Sequence, residues 1–268
     1  MQIKPINADR ILWCCDDRGV SPSDLADAMN ISASRMSAVL DGAEGLTFKQ
    51  LQRIGKYFNR GALFFVEEGP VDEETVRSPQ FRTIENQKAD LEPEIKALIE
   101  RVEHHRDLYI SLQEDMEEAP RFKPPKLERT SVERAATVTR RWLGLLEQND
   151  FSTYREAIES KGVLVFQSMG YFGQWRIPPE SSIVGFSVFH PQVPVILVKR
   201  QSVAARQSFT LMHELGHLLL HRESFIDDLD DLYTSRGRER VANRFAGMVL
   251  VPDELLNQID LESKPSEP

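Results

Sequence analysis

The chain has 268 residues, enough for two modest domains, and its 41% hydrophobic and 28% charged residues are those of an ordinary water-soluble protein. A formal net charge of −9 excludes a general attraction to nucleic acid, so any DNA contact needs a local basic patch. No apolar run approaches the roughly 18 residues of a membrane span, residues Met1 to Asn7 lack the pattern of a secretion signal, and the adjacent Cys14 and Cys15 are poorly placed to bridge, so a cytoplasmic protein without membrane partners is expected.

Residues 1–69 read as short helices. Asn7 to Arg18 has helical spacing and stops at Gly19. Ser21 caps the next helix, with Pro22 at its first position and Asp24 in its first turn, and Asn30 ends it. Ser32 to Leu40 restarts the pattern, and Asp41-Gly42 is a turn signal. Thr47 caps a further helix with Leu51, Ile54 and Phe58 on one face. Short helices with a tight turn near Asn30 resemble a helix-turn-helix domain of the phage-repressor (Xre) type, through Leu25-Ala26, Met29-Asn30-Ile31-Ser32, the break at Gly42 and Phe48 through Leu51. In such a domain Ser32 to Leu40 is the recognition helix, and Ser32, Ser34, Arg35 and Ser37 are the candidate contacts to DNA or to a partner protein. With eight Lys/Arg against nine Asp/Glu in residues 1–69, the phosphate contribution is weak, and DNA binding and protein docking stay open as alternatives.

Residues 70–126 read as an acidic and helical linker. Glu67 to Glu74 is acidic and holds Gly69 and Pro70, Ala89 to Glu118 has helical spacing, and Pro120, Pro124 and Pro125 end it. In residues 127–260, Thr130 or Ser131 caps a helix through Leu145, and Tyr154 to Ser160 is helical. Val163 to Phe166, Ile183 to Phe189 and Val195 to Val198 are strand candidates, with a loop from Tyr171 to Glu180. Ser202 to His221 and Gly237 to Val251 are helices, and residues 261–268 read as a disordered tail. The expected fold class is α+β, an all-α domain followed by a domain with a small β-sheet and an active-site helix.

The chemistry concentrates in Phe209 to His221. His213 and His217 are four apart, so on a helix both imidazoles reach one zinc ion from one face. Glu214 stands beside them and suits a general base acting on water. A third ligand is needed, and Glu239, 22 residues after His217, lies on a segment with helical spacing. Asn243 shares its face and suits a hydrogen bond to a ligating histidine. His221 repeats the four-residue spacing, but a straight helix cannot bring three residues spanning about 12 Å to one ion, so a supporting place beside the ligands is expected, with ligation as the alternative. Tyr171, His190, Arg206 and Tyr233 are candidates for stabilising a tetrahedral intermediate, and the sequence does not rank them.

A glutamate followed four positions later by Asn resembles the thermolysin-like (gluzincin) arrangement. The run from Arg206 through His221, then Glu239 to Pro252, together with Arg141 to Leu145, resembles the ImmA/IrrE metallopeptidases over roughly half the chain. That resemblance implies a zinc-dependent cytoplasmic endopeptidase over 127–260, with His213, His217 and Glu239 as ligands and Glu214 as base. It further implies a protein substrate, a repressor with a similar helix-turn-helix, cleaved in a stress, DNA-damage or phage-related response. A homodimer is a further expectation. The alternatives are a DNA-binding regulator or an antitoxin-like protein whose peptidase domain senses or binds rather than cleaves.

Overall fold

The computed structural model describes residues 2–58, 60–72, 78–85, 87–88, 91–119, 121–127, 130–146, 149–168 and 175–252. Contacts divide the chain into two compact units, Met1–Pro79 with Asp90–Arg101, and Gln80–Ala89 with Val102–Pro268. Residues 261–268, expected as a tail, lie outside the described residues. Among the described residues no helix is long and apolar enough to cross a membrane.

In the first unit, β1 (Gln2–Ile3) pairs antiparallel with β2 (Leu46–Thr47) beside four helices, α1 (Ala8–Asp17), α2 (Pro22–Met29), α3 (Ala33–Leu40) and α4 (Phe48–Phe58). The helix starts are written locally. Ser21 and Asp24 form a reciprocal capping box, Ser32 Oγ accepts the Arg35 N–H at 3.3 Å, and Thr47 and Gln50 cap α4 reciprocally. Asn30 ends α2 with φ 53°, the left-handed conformation that a short amide tolerates, and the chain turns there into α3. Ile11, Leu25, Met36, Leu51, Ile54 and Phe65 form the core. The acidic stretch at Glu67 is tied to α1, since buried Arg10 pairs with Glu67 at 2.7 Å and donates to the Phe64 and Gly69 carbonyls.

The second unit opens with α5 (Pro79–Glu85) and takes the later turns of α6 (Pro93–Asp115), whose first turns belong to the first unit. The segment expected as a linker therefore supplies packed helices, with Ile84, Ile95, Leu98, Ile99 and Val102 fully buried. Then come α7 (Val132–Leu143), capped by Ser131 and closed by Gly144 at φ 71°, and α8 (Phe151–Ser160), capped by Asp150. A four-stranded sheet has the order β3 (Leu164–Gln167), β5 (Val195–Val198), β4 (Ile183–Val188), β6 (Phe225–Asp228). The β3–β5 pair is parallel and the others are antiparallel. Both central strands are buried along their whole length, which explains why β5 is apolar throughout and why Ser187 is the one polar side chain in β4.

Against this sheet lies α9 (Ala204–Gly216), followed by a π turn over His217–His221, and α10 (Gly237–Leu250) packs on α9. Leu211, Met212, Leu215, Phe245 and Val249 join Val165, Ile196 and Val198 in one core. Gly216 permits the close approach, because a Cβ there would stand 3.0 Å from Phe245 Cδ1. Two features depart from the sequence reading. The expected helix through His221 widens at His217, and β6 was not anticipated, since Phe225-Ile226-Asp227-Asp228 lacks the apolar alternation of a half-buried strand.

Candidate metal centre

Helix α9 turns its apolar face into the core and carries His213 and Glu214 with it, and His217 follows at the start of the π turn; all three side chains are fully buried. Buried polar groups are costly without partners, so their surroundings are informative. His213 Nε2 and His217 Nε2 face one another at 2.9 Å. Glu239 Oε2, from the first turn of α10, lies 3.1 Å from the first and 3.2 Å from the second. Asp227 Oδ2, from β6, lies 3.3 Å and 3.5 Å from the same two nitrogens. The ligand atoms of these four residues all fall within 4.8 Å of one another.

This arrangement fits a zinc ion. Tetrahedral ligands on arms of about 2.0–2.1 Å stand roughly 3.3 Å apart, and the spacings that involve a histidine nitrogen run from 2.9 to 3.5 Å. Two imidazole nitrogens and carboxylate oxygens are the donors zinc prefers. Asp227 Oδ2 is buried and faces the two histidine nitrogens at ion-pair distance without a well-formed hydrogen bond, as a ligand oxygen in a cation site would be.

The electrostatics agree with a cation site. Burial pulls the His213 imidazole toward the neutral form, yet Asp227 and Glu239 outweigh it and raise it to about 9. Burial works against the Glu239 carboxylate too, but His213 and His217 hold it well below the usual carboxylate range. For Glu214, burial followed by the charge of Asp227 pushes the carboxyl well above that range. Both Glu214 oxygens are buried without partners beside the cluster. Room for that carboxyl comes from β4, because a Cβ on Gly185 would lie 2.9 Å from Glu214 Oε1.

The π turn has a local consequence. It closes with the Arg222 N–H donating to the His217 carbonyl, and His221 Nδ1 comes to 3.0 Å from His217 Nδ1. Burial first, and then His217 and Arg238, lower His221 to about 4, so it is neutral near pH 7 and can accept the Nδ1–H of His217. That bond would leave the Nε2 lone pair of His217 facing the cluster. The Phe225 ring stacks on His217 at 3.9 Å and fixes its plane.

Asn243 is placed differently from the expectation. Its amide donates to the Asp231 and Thr234 carbonyls at 2.9 and 3.2 Å, so it holds the loop before α10, and His213 Nδ1 has no hydrogen-bond partner. Among the other candidates, His190 accepts the N–H groups of Gln192 and Val193 in a turn, Arg206 and Tyr233 are exposed, and Tyr171 lies outside the described residues. Asp227 escaped the sequence reading. Its signal was an acidic residue in a short unrecognised strand between His217 and Glu239, and only the β4–β6 pairing aims it at the histidines. In the first unit, Ser32 is engaged in capping, Ser34 Oγ lies 3.2 Å from it, Ser37 donates to Asp41, and Arg35 pairs with Glu44 at 3.2 Å.

Comparison with known proteins places this region. The family described as the IrrE N-terminal-like domain (Peptidase_M78) matches residues 176–267, which hold His213, Glu214, His217, Asp227 and Glu239. This part of the chain is therefore similar to an IrrE N-terminal-like domain, over about a third of the chain. The radiation response metalloprotease IrrE of Deinococcus radiodurans is 33% identical over 76 residues, which cover 26% of this chain and 23% of that protein. No solved structure matches.

Proposed function

We propose that the protein is a zinc-dependent endopeptidase that cleaves a partner protein, with zinc held by His213, His217 and Glu239 and with Asp227 as a fourth donor that gives way to water or substrate. The observation that carries this reading is the convergence of His213 Nε2, His217 Nε2, Asp227 Oδ2 and Glu239 Oε2 beside the unpartnered carboxyl of Glu214. Zinc, when bound, supplies Lewis acidity toward a peptide carbonyl and toward water. Glu214 takes up a proton at its carboxylate and returns it to the leaving amine. Its burial makes it a stronger base than an exposed glutamate, and Gly185 leaves the room its carboxyl needs. His221 and Phe225 orient His217.

The substrate class follows by analogy. Similarity to a radiation response metalloprotease supports a radiation- or stress-response setting, and a cytoplasmic helix-turn-helix repressor is the proposed substrate. We assign the first unit as an Xre-like helix-turn-helix that docks on that repressor. Its near-neutral charge and the Arg35–Glu44 pair favour protein over DNA as its partner. Wild type purified without chelators is expected to hold about one zinc ion per chain, and His217→Ala and Glu239→Ala to lose it. Glu214→Gln is expected to keep zinc while cleavage of a repressor encoded beside the gene falls at least about 100-fold. Absence of any transition metal from the wild type would overturn the reading.

A further inference from the structure

We propose that the outer edge of β6 is the rail on which an extended peptide backbone docks beside the metal centre, and that Gln87 fills this rail as a built-in competitor. The inference rests on the peptidase reading of the site. In the sheet order β6 is an edge strand, paired with β4 on one side only. An edge strand presents a row of backbone donors and acceptors that another strand can pair with. Here that row is met by a side chain. Gln87 Nε2 donates to the Ser224 carbonyl at 2.8 Å, and Gln87 Oε1 accepts the Ile226 N–H at 3.1 Å. One primary amide thus satisfies, around Phe225, the acceptor and the donor that a neighbouring strand would pair with.

The rest of the surroundings fit a docking edge. Lys88 anchors the same segment, bridging Asp228 at 2.7 Å and Asp231 at 2.6 Å. The next outward N–H, that of Asp228, is capped by Asp231 Oδ2 at 3.0 Å, so the usable rail stops at Ile226. Along it, Phe225 stacks on His217 and Asp227 points at both histidine nitrogens. A peptide lying on this edge therefore runs along the rim of the metal centre. A cleft of about 570 Å³ lies there, lined by Gln87, Lys88, Phe225, Asp227, Arg238 and Glu239 among others. Recognition through main-chain groups selects an extended, unfolded segment and not a particular side chain. Docking of such a segment requires Gln87 to leave, so the chain lowers its own affinity for substrate until that amide is displaced.

The test uses the full-length, zinc-loaded protein with fluorescein-labelled, heat-denatured casein as probe. Binding is read by anisotropy in the Glu214→Gln background, and hydrogen exchange of the Ile226 amide is read with and without casein. Gln87→Ala is expected to tighten casein binding roughly tenfold, the competition of two hydrogen bonds having been removed. It is also expected to speed Ile226 exchange in free protein, and casein is expected to restore the protection. Lys88→Ala should move affinity in the same direction by less. Unchanged casein affinity in Gln87→Ala, no binding by either form, or an Ile226 amide that casein leaves unprotected would each overturn the proposal. Zinc-dependent cleavage of casein by protein with Glu214 intact, with Ile226 unaffected, removes the rail but leaves the peptidase reading standing. Protection of Ile226 without cleavage keeps the rail and removes the peptidase reading.

Discussion

Gly185→Ala tests the placement of the Glu214 carboxyl with a single methyl group. A Cβ at this position would meet Glu214 Oε1 at 2.9 Å, Thr210 Cγ2 at 2.9 Å and the Leu197 carbonyl oxygen at 3.0 Å, where ordinary contact begins at 3.4 Å. The Leu197 oxygen belongs to the backbone of a central strand and the Thr210 methyl to a buried helix, so neither yields easily. The Glu214 carboxyl must then retreat by about half an ångström or more, within a site that leaves it no exposed surface. Overpacking of this kind costs about 1–3 kcal/mol, which for a domain of this size lowers the melting temperature by a few degrees. The effect on catalysis is larger, because misplacing a reacting group by about 1 Å can cost about 100-fold in rate. The assay compares zinc content, melting temperature and casein cleavage of wild type and Gly185→Ala. The expected result is a folded, zinc-bearing protein that cleaves at least tenfold more slowly. A variant that is folded, holds zinc and cleaves at the wild-type rate would refute the placement of Glu214 as the working base.

Two further outcomes follow from the same structure. Removing metal with EDTA leaves Asp227 and Glu239 close together with only the two histidines to face them, and Glu214 buried without a hydrogen bond; the melting temperature of the second unit should drop by several degrees and recover on adding zinc, since a ligand bound only by the native state stabilises it. An unchanged melting temperature would count against the site. Burial pushes the Cys14 thiol up to about 12 and the Cys15 thiol up to about 11, so neither forms appreciable thiolate at pH 8, and iodoacetamide should label native protein far more slowly than denatured protein. The sign is fixed by the raised values, with native labelling growing only as pH climbs toward 11. Fast labelling of the native protein at pH 8 would contradict the buried placement of both thiols.

Much of the fold was legible because it is written in local signals. The caps at Ser21, Ser32, Thr47 and Ser131 and the stop at Asn30 act within a few residues, so spacing alone places those helix ends. The buried strands β4 and β5 announced themselves as apolar runs. The four-residue spacing of His213 and His217 is a property of any helix, and Glu239 was singled out as a candidate by asking what a third ligand requires. What stayed hidden depends on groups far apart in the chain. Asp227 reaches the histidines only because β6 pairs with β4, and Gly185 matters only because Glu214 lies against it. Asn243 shares a helix face with Glu239, yet the loop carbonyls of Asp231 and Thr234 take its amide, a choice no periodicity encodes. His221 came within hydrogen-bonding distance of His217 through a π turn, where the sequence predicted a uniform helix. The sequence by itself determined the helices, the central strands and the donors carried on one helix, because each follows from neighbours within about one turn. The tertiary structure alone decided the place of Asp227 beside the histidines, the slot for Glu214 and the occupied edge of β6, because each is a contact between elements that only packing brings together.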